Sequence, residues 1–258
     1  MALSIDDKRR IADYVRKINR EVADRNRNSI IVKRTIYSVY VKRIFDIVIS
    51  IIGLIISIPI NLVIAVGTYF DVGLPILFKQ DRPGYKGKVF TIVKFRNMTN
   101  ERGEDGQLLP MDKRVTRFGA FVRRTSLDEL LNLWSILKGD MSIIGPRPLA
   151  QAYWDRYSNR HKMRHEVKPG LECPIIKGGG RKGWQDQFEN DIWYVENVSL
   201  LVDLHMLCAL IKMVFDRKSR LQYAVSGPSE GDFLGYDENG RAFGENNVPA
   251  KYMKILEK

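Results

Sequence analysis

Cysteine and histidine are scarce in this 258-residue chain: two cysteines, Cys173 and Cys208, and three histidines, His161, His165 and His205. The cysteines lie far apart and make no metal-ligand spacing, so no disulfide framework is expected and a reducing cytosolic setting is the default. The histidines are a poor inventory for a zinc site or a Ser–His–Asp triad. His161 and His165, four apart, share a helix face at most and lack a third ligand. No signal peptide is expected, because the opening residues are polar and charged and the apolar segment comes too late for a cleaved h-region. Acid is short relative to base, 30 Asp and Glu against 42 Lys and Arg, for a formal charge of +12. That balance asks for a polyanionic partner, whether nucleic acid, anionic lipid or a phosphorylated substrate. Length and apolar content suit one or two domains with a packed core.

What the chain does have is one long apolar run, Ile44 to Phe70, IFDIVISIIGLIISIPINLVIAVGTYF. Its length suffices for a bilayer, which takes about 20 residues. Pro59 sits in its middle, where it removes a backbone donor and kinks a helix, and Asp46, Ser57 and Asn61 add polar groups. Both flanks are basic, with Lys33, Arg34, Lys42 and Arg43 before it and Lys79, Arg82, Lys86 and Lys88 after it. The positive-inside rule therefore puts both flanks in the cytoplasm, and a helix–break–helix that enters and leaves by one face satisfies it. A straight spanning helix and a buried core helix are the alternatives. This apolar helix also argues against a nucleic-acid-binding protein.

Four regions follow from these patterns. Residues 1–41 form a basic amphipathic extension in which Ile5, Ile11, Tyr14, Ile18 and Val22 fall near one helical face, packed either on the protein or on an anionic membrane. Residues 42–70 are the membrane helix. Residues 71–226 form a cytosolic domain: PILFKQDRPGYKGKVFTIVKFRNM reads as a hairpin, LLNLWSIL as an apolar helix, Leu149 to Glu166 as a further helix, and Ser199 to Phe215 as an amphipathic helix at the interface. Residues 227–258, rich in Gly, Asp, Glu and Asn, read as a loosely ordered tail. The fold class expected is mostly α with a small β-hairpin.

The stretch that can carry chemistry is Arg123-Arg-Thr-Ser-Leu-Asp-Glu-Leu-Leu through Gly145-Pro-Arg-Pro148. Asp128 and Glu129 fall in the first turn of a helix, pointing roughly 100° apart, so they cannot serve one atom in the same way. One attacks or binds metal while the other positions or protonates. Helix N-terminal amides favour phosphate, and Arg123, Arg124 and Arg147 complete an anion cradle. The plain alternative is a capping box, Ser126 to Glu129, with no catalysis at all.

KRIFDIVISIIGLIISIPI, QDRPG, VKFRNM, RRTSLDELLNLWSILKGDMSIIGPRP and RHEVKPG, in that order from Lys42 onward, resemble the hallmarks of the bacterial sugar transferases. These are monotopic phosphoglycosyl transferases that begin glycan assembly on undecaprenyl phosphate. Trp184-Gln185 and the spacing of Asp191, Trp193, Tyr194, Asn197, Ser199 and Asp203 extend the likeness. The resemblance implies that Asp128 is the nucleophile, attacking the β-phosphate of a UDP-sugar, releasing UMP and forming an aspartyl phosphosugar that undecaprenyl phosphate discharges. It implies Mg²⁺ at Asp128 and Glu129, and phosphate or sugar contacts from Arg82, Lys94, Arg96, Arg124, Arg147 and Arg181. It implies a re-entrant helix and the bacterial inner membrane, with the catalytic domain on the cytoplasmic face and anionic lipids beside it. A homo-oligomer is compatible with it, and the chain resembles the compact form of the family. Two stretches depart from the pattern. Ile58 rather than serine precedes Pro59, and LECPIIKGGGRKG replaces the usual GWAQVNGR-like segment, with Arg181 as the candidate for its arginine. The rival reading is a non-catalytic basic scaffold at the membrane surface.

Overall fold

The computed structural model describes residues 3–25, 29–104, 106–109, 111–172, 183–215 and 230–256. The helices are α1 (Ile5–Asn19), α2 (Lys42–Val72), α3 (Met111–Arg114), α4 (Arg117–Arg124), α5 (Asn132–Lys138), α6 (Asn159–Lys162), α7 (Trp184–Asn197), α8 (Leu200–Phe215) and α9 (Ala250–Met253). The strands are β1 (Leu77–Pro83), β2 (Val89–Phe95), β3 (Ser142–Ile144), β4 (Gly170–Glu172), β5 (Phe233–Tyr236) and β6 (Ala242–Gly244), paired as β1–β2, β3–β4 and β5–β6. The chain divides into two compact units.

The first unit comprises Met1–Lys42, Pro83–Lys88 and Ile143–Lys258. Helix α1 opens with a capping box, Ser4 Oγ accepting from the Asp7 amide and the Asp7 carboxylate accepting from the Ser4 amide. Its buried stripe is Ile11, Ala12, Val15 and Asn19, which packs with Leu234, Phe243 and Tyr252. Asn19 donates to the Tyr236 carbonyl (3.0 Å) and to Tyr252 Oη (2.6 Å). The described part of the region expected to be a loose tail is thus an ordered hairpin and helix. Its polar residues are turn formers: Asp237 Oδ1 accepts from the amides of Asn239 and Arg241, which is the ordinary work of Asp in a tight turn. The helix expected over Leu149 to Glu166 is instead a 3₁₀ turn (Gln151–Arg156), α6 and a second 3₁₀ turn (Met163–Glu166). It breaks because Tyr157 is extended and Ser158 starts α6 afresh, its Oγ accepting from the His161 amide. Around these turns Tyr153, Tyr157, Trp184, Phe188, Phe233 and Tyr236 form an aromatic core.

The second unit comprises Arg43–Arg82 and Val89–Ser142. The hairpin expected from its sequence is β1–β2, and LLNLWSIL lies largely in α5. Helix α2 runs unbroken through Pro59, where the sequence led us to expect an interruption. Proline deprives only one carbonyl of its donor, and the rest of a 31-residue ladder stands. Nearby, Ser57 Oγ donates to the Leu54 carbonyl and Asn61 Nδ2 donates to Ser57 Oγ. The helix is inside-out: Asp46, Ser50, Ser57 and Thr68 are buried, while Ile55, Ile58, Val63 and Phe70 are exposed at 63, 63, 70 and 81 %.

Residues 116–142 follow α2 along its length. Arg43 donates to the carbonyls of Ile136 and Leu137, and Asp46 accepts from Ser142 Oγ (3.0 Å). Gly53 faces Leu133, and Ile64 packs with Phe95 and Val122. Gly67 faces Phe118, and Asp71 accepts from Thr116 Oγ1 at 2.5 Å. Arg96 closes the helix end by donating to the carbonyls of Val72 and Gly73.

Candidate active site

Helix α4 ends at Thr125, whose Oγ1 turns back onto the carbonyls of Phe121 and Val122. The chain then reverses through Ser126 at φ 57, ψ 19. This left-handed conformation costs a non-glycine residue on the order of 1–2 kcal/mol. A 3₁₀ turn, Leu127–Glu129, follows. Leu127 and Leu131 pack on the cluster of Ile64, Phe95 and Val122, which fixes the turn on both sides of Asp128 and Glu129. The capping box expected here does not form: Ser126 makes no side-chain cap. Glu129 instead pairs with Lys94 of β2, Oε1 to Nζ 2.5 Å. A left-handed cap residue points its side chain away from the following amides.

Asp128 is 4 % exposed. Asn97 Nδ2 lies 3.4 Å from its Oδ2, a long and weak hydrogen bond. Burial raises its pKa above the ordinary aspartate value and the neighbouring Glu129 charge adds to this, while Lys94 and Arg123 oppose it. A carboxylate so placed is poorly solvated and basic, which suits attack on an electrophile.

The residues singled out from the sequence therefore separate. Asp128, Glu129 and Lys94 come together. Arg123 is exposed at the end of α4 and acts on Asp128 through its charge, and Arg124, also exposed, ends the same helix. Arg96 holds the α2 terminus, a structural task the sequence did not reveal. Arg82 donates to Gln80 (2.6 Å). Arg147 belongs to the first unit, half-buried in the loop after β3. Arg181 lies outside the described residues. Sequence reasoning does not single out Asn97, although its place directly after Arg96 in VKFRNM, two residues past the end of β2, sets it beside that strand end. The capping role weighed for Ser126 as the plain alternative is not taken up, its backbone lying in the left-handed region and its side chain making no cap.

No group of three or more His, Cys, Asp or Glu able to hold a metal occurs among the described residues. Two adjacent carboxylates, one already paired with Lys94, do not make an all-protein cage. They do fit Mg²⁺, which commonly takes one or two carboxylates and draws the rest of its shell from substrate phosphates and water.

A family model described as bacterial sugar transferase matches residues 37–217. An uncharacterized sugar transferase of Bacillus subtilis (strain 168), EpsL, is 43 % identical over 174 residues, covering 67 % of this chain and 86 % of that protein. A UDP-glucose:undecaprenyl-phosphate glucose-1-phosphate transferase of Klebsiella pneumoniae is 36 % identical over 190 residues, covering 69 % of this chain and 41 % of its own length. An undecaprenyl-phosphate galactose phosphotransferase of Salmonella typhimurium is 34 % identical over 196 residues, with 69 and 41 % coverage. The chain thus spans less than half the length of these last two relatives.

Proposed function

The chain belongs to the bacterial sugar transferase family, and from that premise we propose that it moves a sugar 1-phosphate from a UDP-sugar to undecaprenyl phosphate. The observation that carries the reading is Asp128, a buried carboxylate of raised pKa on a strained turn, beside a Glu129 whose charge Lys94 already balances. Relatives named for transfer of sugar phosphates to undecaprenyl phosphate support the substrate class.

In the first step an Asp128 oxygen attacks the β-phosphorus of the donor. The bond to the bridging oxygen breaks and UMP leaves with that electron pair. In the second, an oxygen of undecaprenyl phosphate attacks the same phosphorus and Asp128 departs as carboxylate. Splitting the transfer keeps the two polyanionic substrates out of one pocket at the same time. Lys94 holds Glu129 in place, and Arg124 and Arg147 contact phosphate oxygens. Mg²⁺, held by Asp128 and Glu129 together with the donor, would neutralise the diphosphate.

Membrane seating follows from the inverted helix. Apolar side chains cover the outer face of α2, and a contiguous apolar surface of that extent is a contact surface for lipid. A straight crossing would carry Arg117, Arg123, Asp128 and Glu129 into hydrocarbon, because residues 116–142 accompany α2 from Arg43 to Asp71. Charges there cost at least about 2.5 kcal/mol each. In our reading both ends of α2 stay on the cytoplasmic face of the inner membrane and the helix is embedded from one side, which the basic flanks of the segment support. This keeps Asp128 near head-group height, where a lipid-borne phosphate meets an aqueous nucleotide.

The test is UMP release by the membrane fraction with a panel of UDP-sugars, Mg²⁺ and undecaprenyl phosphate. Asp128→Asn should abolish release while the protein stays folded. Without acceptor, label from the donor sugar should remain on the protein, and undecaprenyl phosphate should discharge it. Near-normal turnover by Asp128→Asn would end the assignment. Cysteines introduced at Val39 and Lys86 should both label from the cytoplasmic side only, and labelling of either from outside would refute one-sided embedding.

A further inference from the structure

Arg164 is among the most deeply buried side chains of the first unit, 2 % exposed, and no step above uses it. Its partner is Asp191, 0 % exposed. Arg164 Nε and Nη2 lie 2.9 and 2.7 Å from Asp191 Oδ2, and Gln187 Nε2 donates to Asp191 Oδ1 (3.1 Å). A buried ion pair of this kind adds little net stability, because desolvation offsets attraction. Its geometry has a more particular use. Arg164 Nη2 also donates to the carbonyl of Arg147 (2.8 Å).

The loop that carries Arg147 is held through its backbone. The Gly170 amide donates to the Pro146 carbonyl (3.0 Å), and Arg164 donates to the Arg147 carbonyl. Gly145 and Gly170 approach so closely that a Cβ on Gly145 would lie 2.4 Å from the Lys168 carbonyl oxygen. Pro146 and Pro148 fix φ on either side of Arg147. The side chain of Arg147 itself stays half-buried.

We propose that Arg164, anchored by Asp191, is a positioning residue for Arg147, fixing the backbone from which that arginine meets the diphosphate of the donor. This rests on the assignment of Arg147 as a phosphate contact. A lysine at position 164 keeps the charge opposite Asp191 but lacks the planar fork that reaches two acceptors.

The test is steady-state UMP release by the full chain in lipid nanodiscs, with UDP-glucose, UDP-galactose or UDP-N-acetylgalactosamine, whichever the wild type turns over. Arg164→Lys should raise KM for the donor roughly tenfold or more, with kcat less affected, as misplacing a binding group does. Its Tm should stay within about 4 °C of wild type. On an Arg147→Ala background the same substitution should have no further effect on KM. An equal fold-change on both backgrounds, or an unchanged KM in Arg164→Lys, would overturn the positioning role alone. An unchanged KM in Arg147→Ala would overturn the phosphate role of Arg147, and this inference with it. Should Arg164→Lys not fold, the paired replacement R164M/D191L removes both charges at similar volume. It should reproduce the KM rise and its loss on the Arg147→Ala background, and a folded pair with wild-type KM would equally overturn the proposal.

Discussion

At the scale of single residues, the site depends on conformations and protonation states that side-chain identity alone does not announce. Ser126 stands in the left-handed region two residues before Asp128. Ser126→Gly should keep fold and turnover, since glycine reaches φ > 0 without strain. Ser126→Val should lower thermal stability by about 1–3 kcal/mol and depress UMP release, because a β-branched residue resists that conformation. His165 offers a separate reading of pH. Its Nδ1 faces the Gly84 carbonyl at 3.2 Å, its Nε2 is buried without a partner, and burial, with the nearby Arg164 charge, lowers its pKa to about 3. The unfolded chain takes up that proton below about 6.5 while the folded chain stays neutral down to about 3, so stability falls as pH drops through this window. Glu189, lowered to about 2 by its bonds to His161 and Arg160 despite opposing burial, adds acid sensitivity only below its ordinary value of 4.5. Between pH 5 and 6.5 His165 contributes a slope of up to about 1.4 kcal/mol per pH unit. His165→Gln, which retains a donor for Gly84, should flatten the fall of Tm across that range. A slope unchanged by the substitution would mean the imidazole is not the group responsible.

At the scale of elements, α2 shows how far the sequence could be read. Its extent, its apolar character and the hairpin after it were visible as composition and turn chemistry. The polar residues Asp46, Ser57 and Asn61 appeared as interruptions of a membrane helix. In the fold Asp46 and Ser57 are buried, and residues 116–142 supply that buried side with partners that no one-dimensional pattern specifies. Pro59 looked like a break because proline removes a donor, yet the many remaining bonds and the packing of Gly53 and Ile64 carry the helix across it. The two interface glycines make different predictions. A Cβ on Gly67 would lie 2.4 Å from Phe118 Cζ, the end of a stiff ring, whereas one on Gly53 would meet Leu133 Cδ1 at 3.0 Å. Gly67→Ala should therefore destabilise the second unit by about 1–3 kcal/mol, as overpacking does. Gly53→Ala should be nearly neutral, since a leucine methyl can rotate aside. Thermal melts of both variants in the same nanodiscs decide this, and equal losses would show that the Phe118 contact is not the tighter one.

At the scale of the whole molecule, the family match covers residues 37–217, and α1 with the β5–β6 hairpin lies outside it. From sequence these ends read as unrelated, a basic amphipathic helix packed on the protein or on a membrane and a loosely ordered tail, because their apolar residues are few and each is meaningful only against the other. Folded, Ile11 and Val15 from one end meet Leu234, Phe243 and Tyr252 from the other. Both ends also grip the segment between them: Asp24 caps α6 through the amides of Asn159 and Arg160, and Tyr236 Oη accepts from the Ser158 amide. Val15 is 1 % exposed and sits against Gly235, where an added Cβ would lie 2.8 Å from its Cγ2. Burying such a side chain contributes about 1.5–3 kcal/mol, and an unpaired carboxylate in its place would cost more. Val15→Asp should therefore separate the ends. Limited proteolysis should cut residues 230–256 faster than in wild type, Tm should fall by several degrees, and the protein should still partition fully with membranes, because α2 is untouched. If α1 instead lay on lipid, the same substitution would weaken membrane association of a chain truncated before α2 and leave the C-terminal hairpin as resistant as before. That pattern would return α1 to the membrane and undo the clasp.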